Sequence, residues 1–179
     1  TAAEICQHLA LGPAAAGLAP EKLSPRQFLD ALISRERFAE AVRFLAYALP
    51  KREAVWWACM VIRQLGEPRE AKLIVSLQAA EQWVRDPADA NSRAAFAASK
   101  EAGLDSPAGC AALGAFLGGA SLAPPNLAVV APGPFMGARA VAGAVMLAAV
   151  QSEPQRAAER YRRFLALGFE VAGGSQSWK

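Results

Sequence analysis

The sequence predicts an all-α fold: a single domain of about eight to nine helices, packed as antiparallel helical hairpins around two apolar central helices. Capping residues repeatedly precede a proline and a helical pattern, apolar residues recur three and four positions apart, and no segment shows sustained period-two alternation. With 179 residues, 54% of them apolar, the chain suits one domain over residues 1–179 and is not a chain disordered throughout.

Helix starts are marked by side chains that can accept hydrogen bonds from the free amides of a first turn. These starts are Thr1-Ala2-Ala3-Glu4, Ser24-Pro25-Arg26-Gln27, Asp86-Pro87 and Ser106-Pro107. Glu153-Pro154 opens the last predicted helix, with Glu153 and Glu159 near its positive end. Proline after a cap gives up an amide that would have no partner there, and glycine or proline marks the helix ends. The predicted helices cover residues 1–11, 25–34, 36–49, 51–66, 69–85, 87–102, 107–118, 135–150 and 154–170.

Two of these helices should form the middle of the fold. Every residue from Ala54 to Ile62 is apolar, so the 51–66 helix should be covered on more than one side. The 135–150 helix is rich in glycine and alanine, which lets a neighbouring backbone come close. Outer helices should be solvated on one face, as indicated by the pair Glu81 and Arg85 at helical spacing.

Residues 106–150 carry a single charge, Arg139, and are otherwise uncharged. Prolines divide this stretch, and its longest uninterrupted run, residues 140–150, is shorter than the roughly 20 residues that a membrane span needs. We therefore predict no membrane span. The three cysteines form no close pair, which favours buried thiols in a reducing compartment and predicts a cytoplasmic protein.

A proline-rich connecting strap is predicted over residues 119–134, with prolines at 124, 125, 132 and 134. Its remaining residues are largely apolar. The favoured interpretation is an extended segment packed across helix ends, and the alternative is a recognition segment for a partner. After Gly173-Gly174, residues 173–179 are predicted to form a flexible tail.

The sequence contains few of the patterns that carry chemistry. It has no phosphate-binding glycine loop, no nucleophile elbow, and one histidine, His8. We therefore predict no catalytic residue, no cofactor, no metal ligand and no enzyme activity. A basic stripe of Arg156, Arg160 and Arg163 lacks interleaved aromatic residues, so a solvated face is favoured over an acidic protein partner, and both over nucleic acid.

The adjacent tryptophans Trp56 and Trp57 are the most unusual local feature. On a helix they point about 100° apart, so one can lie in the core while the other reaches an edge. If Trp57 is exposed, it would form an interface anchor; the alternative is that both rings are buried. The predicted protein-binding residues are Lys51, Arg52, Glu53, Trp57, Pro124 and Pro125.

Several segments resemble known families. Residues 37–50 resemble the second half of a tetratricopeptide motif, although no second copy follows at that family's 34-residue period. Residues 44–59, 80–87, 121–126 and 160–168 resemble an uncharacterised bacterial helical family, classed as a domain of unknown function. This resemblance implies a bacterial, cytoplasmic, all-α protein associated with contact-dependent or type VI secretion gene neighbourhoods. It supplies no catalytic or binding residue.

Together these observations favour a non-enzymatic protein-interaction module, a bacterial adaptor or chaperone that binds a protein partner. The first alternative is a toxin-neutralising immunity protein, which should show a strong charged patch. The second alternative is an enzyme with a small-molecule pocket.

Overall fold

The computed structural model describes residues 1–9, 17–18, 20–175 and 178. These residues form nine α-helices and no strand, which confirms the predicted all-α fold. The helices are α1 Ala2–Cys6, α2 Pro25–Ser34, α3 Phe38–Ala48, α4 Lys51–Gln64, α5 Ala71–Arg85, α6 Asp89–Ala102, α7 Pro107–Gly118, α8 Met136–Val150 and α9 Ala157–Ala172. α1 ends earlier than predicted, and residues 10 and 11 of that predicted helix lie outside the described residues.

The predicted caps form at the start of α2 and α7. The Ser24 hydroxyl accepts from the Gln27 amide at 3.2 Å, and the Gln27 side chain accepts in return from the Ser24 amide at 2.9 Å. At α7, the Ser106 hydroxyl accepts from the amide of Gly109 at 3.0 Å. Each bond satisfies an amide that has no partner within its helix.

The predicted cap at Asp86 is wrong. α6 begins at Asp89, with Ala88 in the capping position. The amide of Asp86 instead closes the end of α5 by donating to the Gln82 carbonyl at 2.9 Å. Its carboxylate accepts from the side chain of Asn91 at 2.9 Å, so it braces the turn between the two helices.

The centre of the fold contains three helices rather than the two predicted. α4 and α8 pack against each other as expected, and α7 packs against both of them and against α5 and α6. α7 is buried along most of its length because its glycines and alanines allow close contact. A Cβ atom on Gly137 of α8 would lie 3.2 Å from the Gly114 carbonyl oxygen of α7, closer than most side chains tolerate.

α9 is attached to this centre through a buried tryptophan. The indole N–H of Trp57 donates to the Phe164 carbonyl oxygen at 2.8 Å. Gly168, one turn further along α9, lies over the same ring: a Cβ there would be 2.9 Å from Trp57 and 2.5 Å from Leu45. The absence of a side chain at Gly168 therefore sets how closely α9 approaches α3 and α4.

Two charged residues that the sequence assigned to solvated faces are buried. Arg160 is 8% exposed and donates to the carboxylate of Glu153 at 2.9 Å and to the Gln151 carbonyl, at the end of α8. Glu81 is 3% exposed and accepts from Arg63 of α4 at 2.8 Å, whereas Arg85 is 4.0 Å away. Both residues join neighbouring helices, which spacing along one helix does not reveal.

The buried thiols agree with the sequence prediction. Cys59 and Cys110 are buried, and burial raises the pKa of both thiols. The carboxylate of Glu81 raises the pKa of Cys59 further. Both side chains therefore remain protonated and act as small apolar groups. No helix among the described residues has the length and apolarity required to cross a membrane.

Replacing Gly168 with alanine should lower stability, although glycine-to-alanine changes inside helices usually raise it. We expect Gly168→Ala to lower the free energy of unfolding by about 1–3 kcal/mol, because the new methyl group would overlap Leu45 and Trp57. The matched control is Gly143→Ala in α8, where the added Cβ would be 3.9 Å from its nearest neighbour, the Cys110 sulfur. That change should raise the free energy of unfolding by up to about 1 kcal/mol.

Chemical denaturation of the purified variants measures both effects. Equal stability gains for the two variants would contradict the close approach of α9 to Trp57.

Candidate functional site

The strap, residues 119–134, connects the end of α7 to the start of α8. It contains a turn in which the Leu127 amide donates to the Pro124 carbonyl at 3.0 Å. Pro125 and Asn126 occupy the central positions of this turn, where their residue types are favoured. The amide of Leu122 donates to the Val130 carbonyl at 2.7 Å, so the strap folds back on itself.

Two side chains hold the strap in this shape. The buried hydroxyl of Ser121 accepts from the amides of Ala123 and Val130, both at 3.1 Å. Arg93 of α6 donates to the Ala123 carbonyl at 2.6 Å and pairs with Asp89. Neither Ser121 nor Arg93 was among the site residues predicted from the sequence. Serine side chains readily bond backbone two residues ahead, but the second bond, nine residues away, has no local signal.

The strap exposes its apolar residues instead of burying them. The exposed fractions are 60% for Leu127, 76% for Val129 and 52% for Val130. The prediction that the strap packs these residues across helix ends is therefore wrong. The bond between Ser121 and Val130 closes the loop at its base, and the exposed side chains of Leu127, Val129 and Val130, here called the strap tip, extend into solvent.

A groove of about 390 Å³ lies beside the end of the strap. Its walls come from the α3–α4 turn at Pro50 and Lys51 and from residues 132–138, and Gly114 and Gly118 of α7 complete its lining. The structure thus brings Lys51, which is exposed, into one site with the end of the strap. Most lining side chains are apolar or absent, so the groove suits an apolar group.

Phe135 shapes this groove from an unusual backbone position. It precedes α8 with a φ of 60°, in the left-handed region that a bulky residue seldom occupies. Its ring stacks on Tyr47 of α3, with centroids 4.7 Å apart and planes 6° apart. Stacking on a buried tyrosine offsets the backbone strain and fixes the start of α8 relative to α3.

The other predicted protein-binding residues have different surroundings. Pro124 and Pro125 are exposed on the strap, and Glu53 is half-buried on α4. Arg52 donates to the carbonyls of Val84, at 2.9 Å, and Arg85, at 3.2 Å, and so closes the end of α5. Its guanidinium therefore has a structural role in holding α5 against α4.

Trp57 is corrected from a surface anchor to a core residue. It is fully buried and bonded to α9, so it cannot contact a partner directly. Trp56 takes the outer position, with its ring 6.4 Å from the ring of Trp178. Residues 176, 177 and 179 of the predicted flexible tail lie outside the described residues, while Trp178 packs against α4 through Trp56 and Arg52.

The strap and the groove are largely apolar. Neither the strap nor the groove contains a histidine, a cysteine or an acidic residue. Across the described residues, no group of three or more His, Cys, Asp or Glu side chains is placed to hold a metal ion. The site offers apolar surface, backbone carbonyls and the ammonium group of Lys51.

Ser121→Ala should loosen the strap while leaving the helices intact. The change removes the acceptor for the Ala123 and Val130 amides, so we expect these amides to exchange with solvent faster by about fivefold, the loss of roughly 1 kcal/mol of hydrogen bonding. Hydrogen exchange followed by NMR measures this, with Ser34→Ala on the surface of α2 as control. Unchanged exchange at both amides would show that Ser121 does not hold the strap.

Comparison with known proteins identifies a family. No curated protein and no solved structure matches the chain significantly. The sequence profile of a family of unknown function, DUF6931, matches residues 28–172. The match runs from α2 to the last residue of α9 and includes the strap and the groove. The chain therefore belongs to the DUF6931 family of unknown function.

Proposed function

We propose that this protein is a non-enzymatic protein-interaction module, a bacterial adaptor or chaperone that holds a protein partner against the strap tip and the groove. The observation that carries the proposal is the exposure of Leu127, Val129 and Val130 on a loop whose base is fixed by Ser121. Contiguous exposed apolar residues are typical of interaction sites. A loop already held in shape loses little conformational entropy when a partner binds.

The free energy gained by burying the strap tip is small compared with the cost of association, so the partner must contact more than the strap tip. Full burial of one large aliphatic side chain contributes about 1.5–3 kcal/mol, and the tip residues are already partly covered. Association costs about 4–15 kcal/mol in lost translational and rotational freedom. Burying the tip alone therefore gives no stable complex. The groove supplies the additional apolar contact, and Lys51 at its edge favours an acidic residue in the partner.

We further propose that the partner belongs to a bacterial secretion system. The support is the sequence resemblance to a family associated with contact-dependent and type VI secretion gene neighbourhoods. An adaptor is favoured over an immunity protein because the exposed surface of the strap tip is apolar, whereas toxin neutralisation is expected to use a strong charged patch.

Site-specific cross-linking in the source bacterium tests this proposal. A photo-reactive amino acid at position 129 should give one dominant cross-linked protein, identified by mass spectrometry. The same amino acid at position 75 is the matched control, because Val75 of α5 is also an exposed valine (55%). Equal cross-linking at both positions would contradict a site at the strap.

The identified partner then allows a direct affinity measurement. Leu127→Ser combined with Val129→Ser should weaken binding by about tenfold or more in calorimetry, because apolar contact area is lost. Val75→Ser should leave the affinity unchanged. Since all three positions are exposed, melting temperatures should stay close to that of the original protein. Unchanged affinity of the double variant would overturn the proposal.

A further inference from the structure

A second pocket, the cationic pocket, lies between the residues after α1 and one face each of α3 and α8. Its volume is about 300 Å³. It is lined by His8, Leu9, Arg43, Tyr47, Arg139, Ala142 and Met146. Two arginines and a histidine thus surround one opening, and none of the described residues that line it is acidic.

Arg139 is the only charged residue between positions 106 and 150, and it is exposed where it lines the pocket. Its Nε donates to the hydroxyl of Tyr47 at 2.9 Å. Within the described part of the chain, no acceptor faces its two Nη groups and no carboxylate pairs with it. A guanidinium held through Nε, with both Nη groups available, is oriented to bind an anion through two parallel bonds.

Arg43 approaches the same pocket from α3. It lies one turn before Tyr47, so the two side chains share a helix face. The nearby carboxylate of Glu40 accepts its hydrogen bonds from Arg37, and no ion pair to Arg43 occurs among the described residues. Because Arg43 and Arg139 line the same opening, a bound anion would be attracted by two guanidinium groups.

Aromatic packing makes the pocket rigid. Phe135 packs against both Tyr47 and His8, with the His8 and Phe135 centroids 4.6 Å apart. The Tyr47 hydroxyl accepts from Arg139, so its own proton is available to donate to a ligand. Leu9, Ala142 and Met146 supply an apolar wall next to these polar groups.

We propose that the cationic pocket binds a phosphate monoester whose organic part is apolar. One arginine suffices for the two oxygens of a carboxylate, whereas two arginines and a tyrosine hydroxyl match the charge and the three free oxygens of a phosphate. Arg139 and Arg43 bind the phosphate, Tyr47 donates to it, and the organic group lies against the apolar wall. Tyr47 lines both this pocket and the groove, but Arg43 and Arg139 do not line the groove, so this proposal does not depend on the proposed function.

Calorimetric titration with phenyl phosphate tests the proposal, with phenol, benzoate and inorganic phosphate titrated in parallel at fixed ionic strength. We expect phenyl phosphate to bind more tightly than each of the other three. Phenol lacks the charge, benzoate lacks the third oxygen, and inorganic phosphate lacks the apolar group. No detectable binding of phenyl phosphate, or tighter binding of benzoate, would overturn the proposal.

Arg43→Gln and Arg139→Gln should each weaken phenyl phosphate binding by about tenfold or more, the loss of a charge-assisted hydrogen bond. Arg163 is exposed like Arg43 and Arg139 but lies outside the pocket, so Arg163→Gln removes the same charge and should leave the affinity unchanged. Arg43→Gln should leave the melting temperature close to that of the original protein because Arg43 is exposed, whereas Arg139→Gln also removes the hydrogen bond to Tyr47 and should lower it slightly. If all three changes weakened phenyl phosphate binding equally, the ligand would be attracted by net charge alone, and the proposed site would be contradicted.

Discussion

A buried hydrogen bond from the Trp57 indole to the Phe164 carbonyl joins the last helix to the centre of the fold. It links residues 107 positions apart and measures 2.8 Å. Gly168 makes the bond possible because a side chain at that position would separate α9 from the tryptophan ring. With α9 in place, α3, α4 and α8 each gain a covering surface, and the apolar face of α4 is shielded from water.

The same arrangement positions both binding surfaces. From α9, the buried Arg160 holds the carbonyls at the end of α8. Near the opposite end of α8, Gly137 lies against Gly114 of α7, which fixes the distance between the two ends of the strap. The start of α8 carries Phe135 and Arg139, so the helix that closes the groove also supplies a cation to the neighbouring pocket.

Local chemistry predicted the helices well, and contacts between distant residues account for what it missed. The caps at Ser24 and Ser106 act within four residues, so they can be read directly from the sequence.

Whether Trp56 or Trp57 faces inward depends on where α9 packs, which no local pattern contains. Glu81 was assigned to a solvated face because its partner, Arg63, lies on another helix. The strap was expected to be covered because it is apolar; the bonds to Ser121 that expose its tip span up to nine residues.

The most direct test compares Trp57→Phe with Trp83→Phe in urea denaturation. Both rings are buried, but the Trp83 indole N–H has no hydrogen-bond acceptor among the described residues. Trp57→Phe should therefore lower the free energy of unfolding by about 1–2 kcal/mol more than Trp83→Phe, because only the first change removes a hydrogen bond. Equal losses, or a larger loss for Trp83→Phe, would contradict the central role of the bond between α4 and α9.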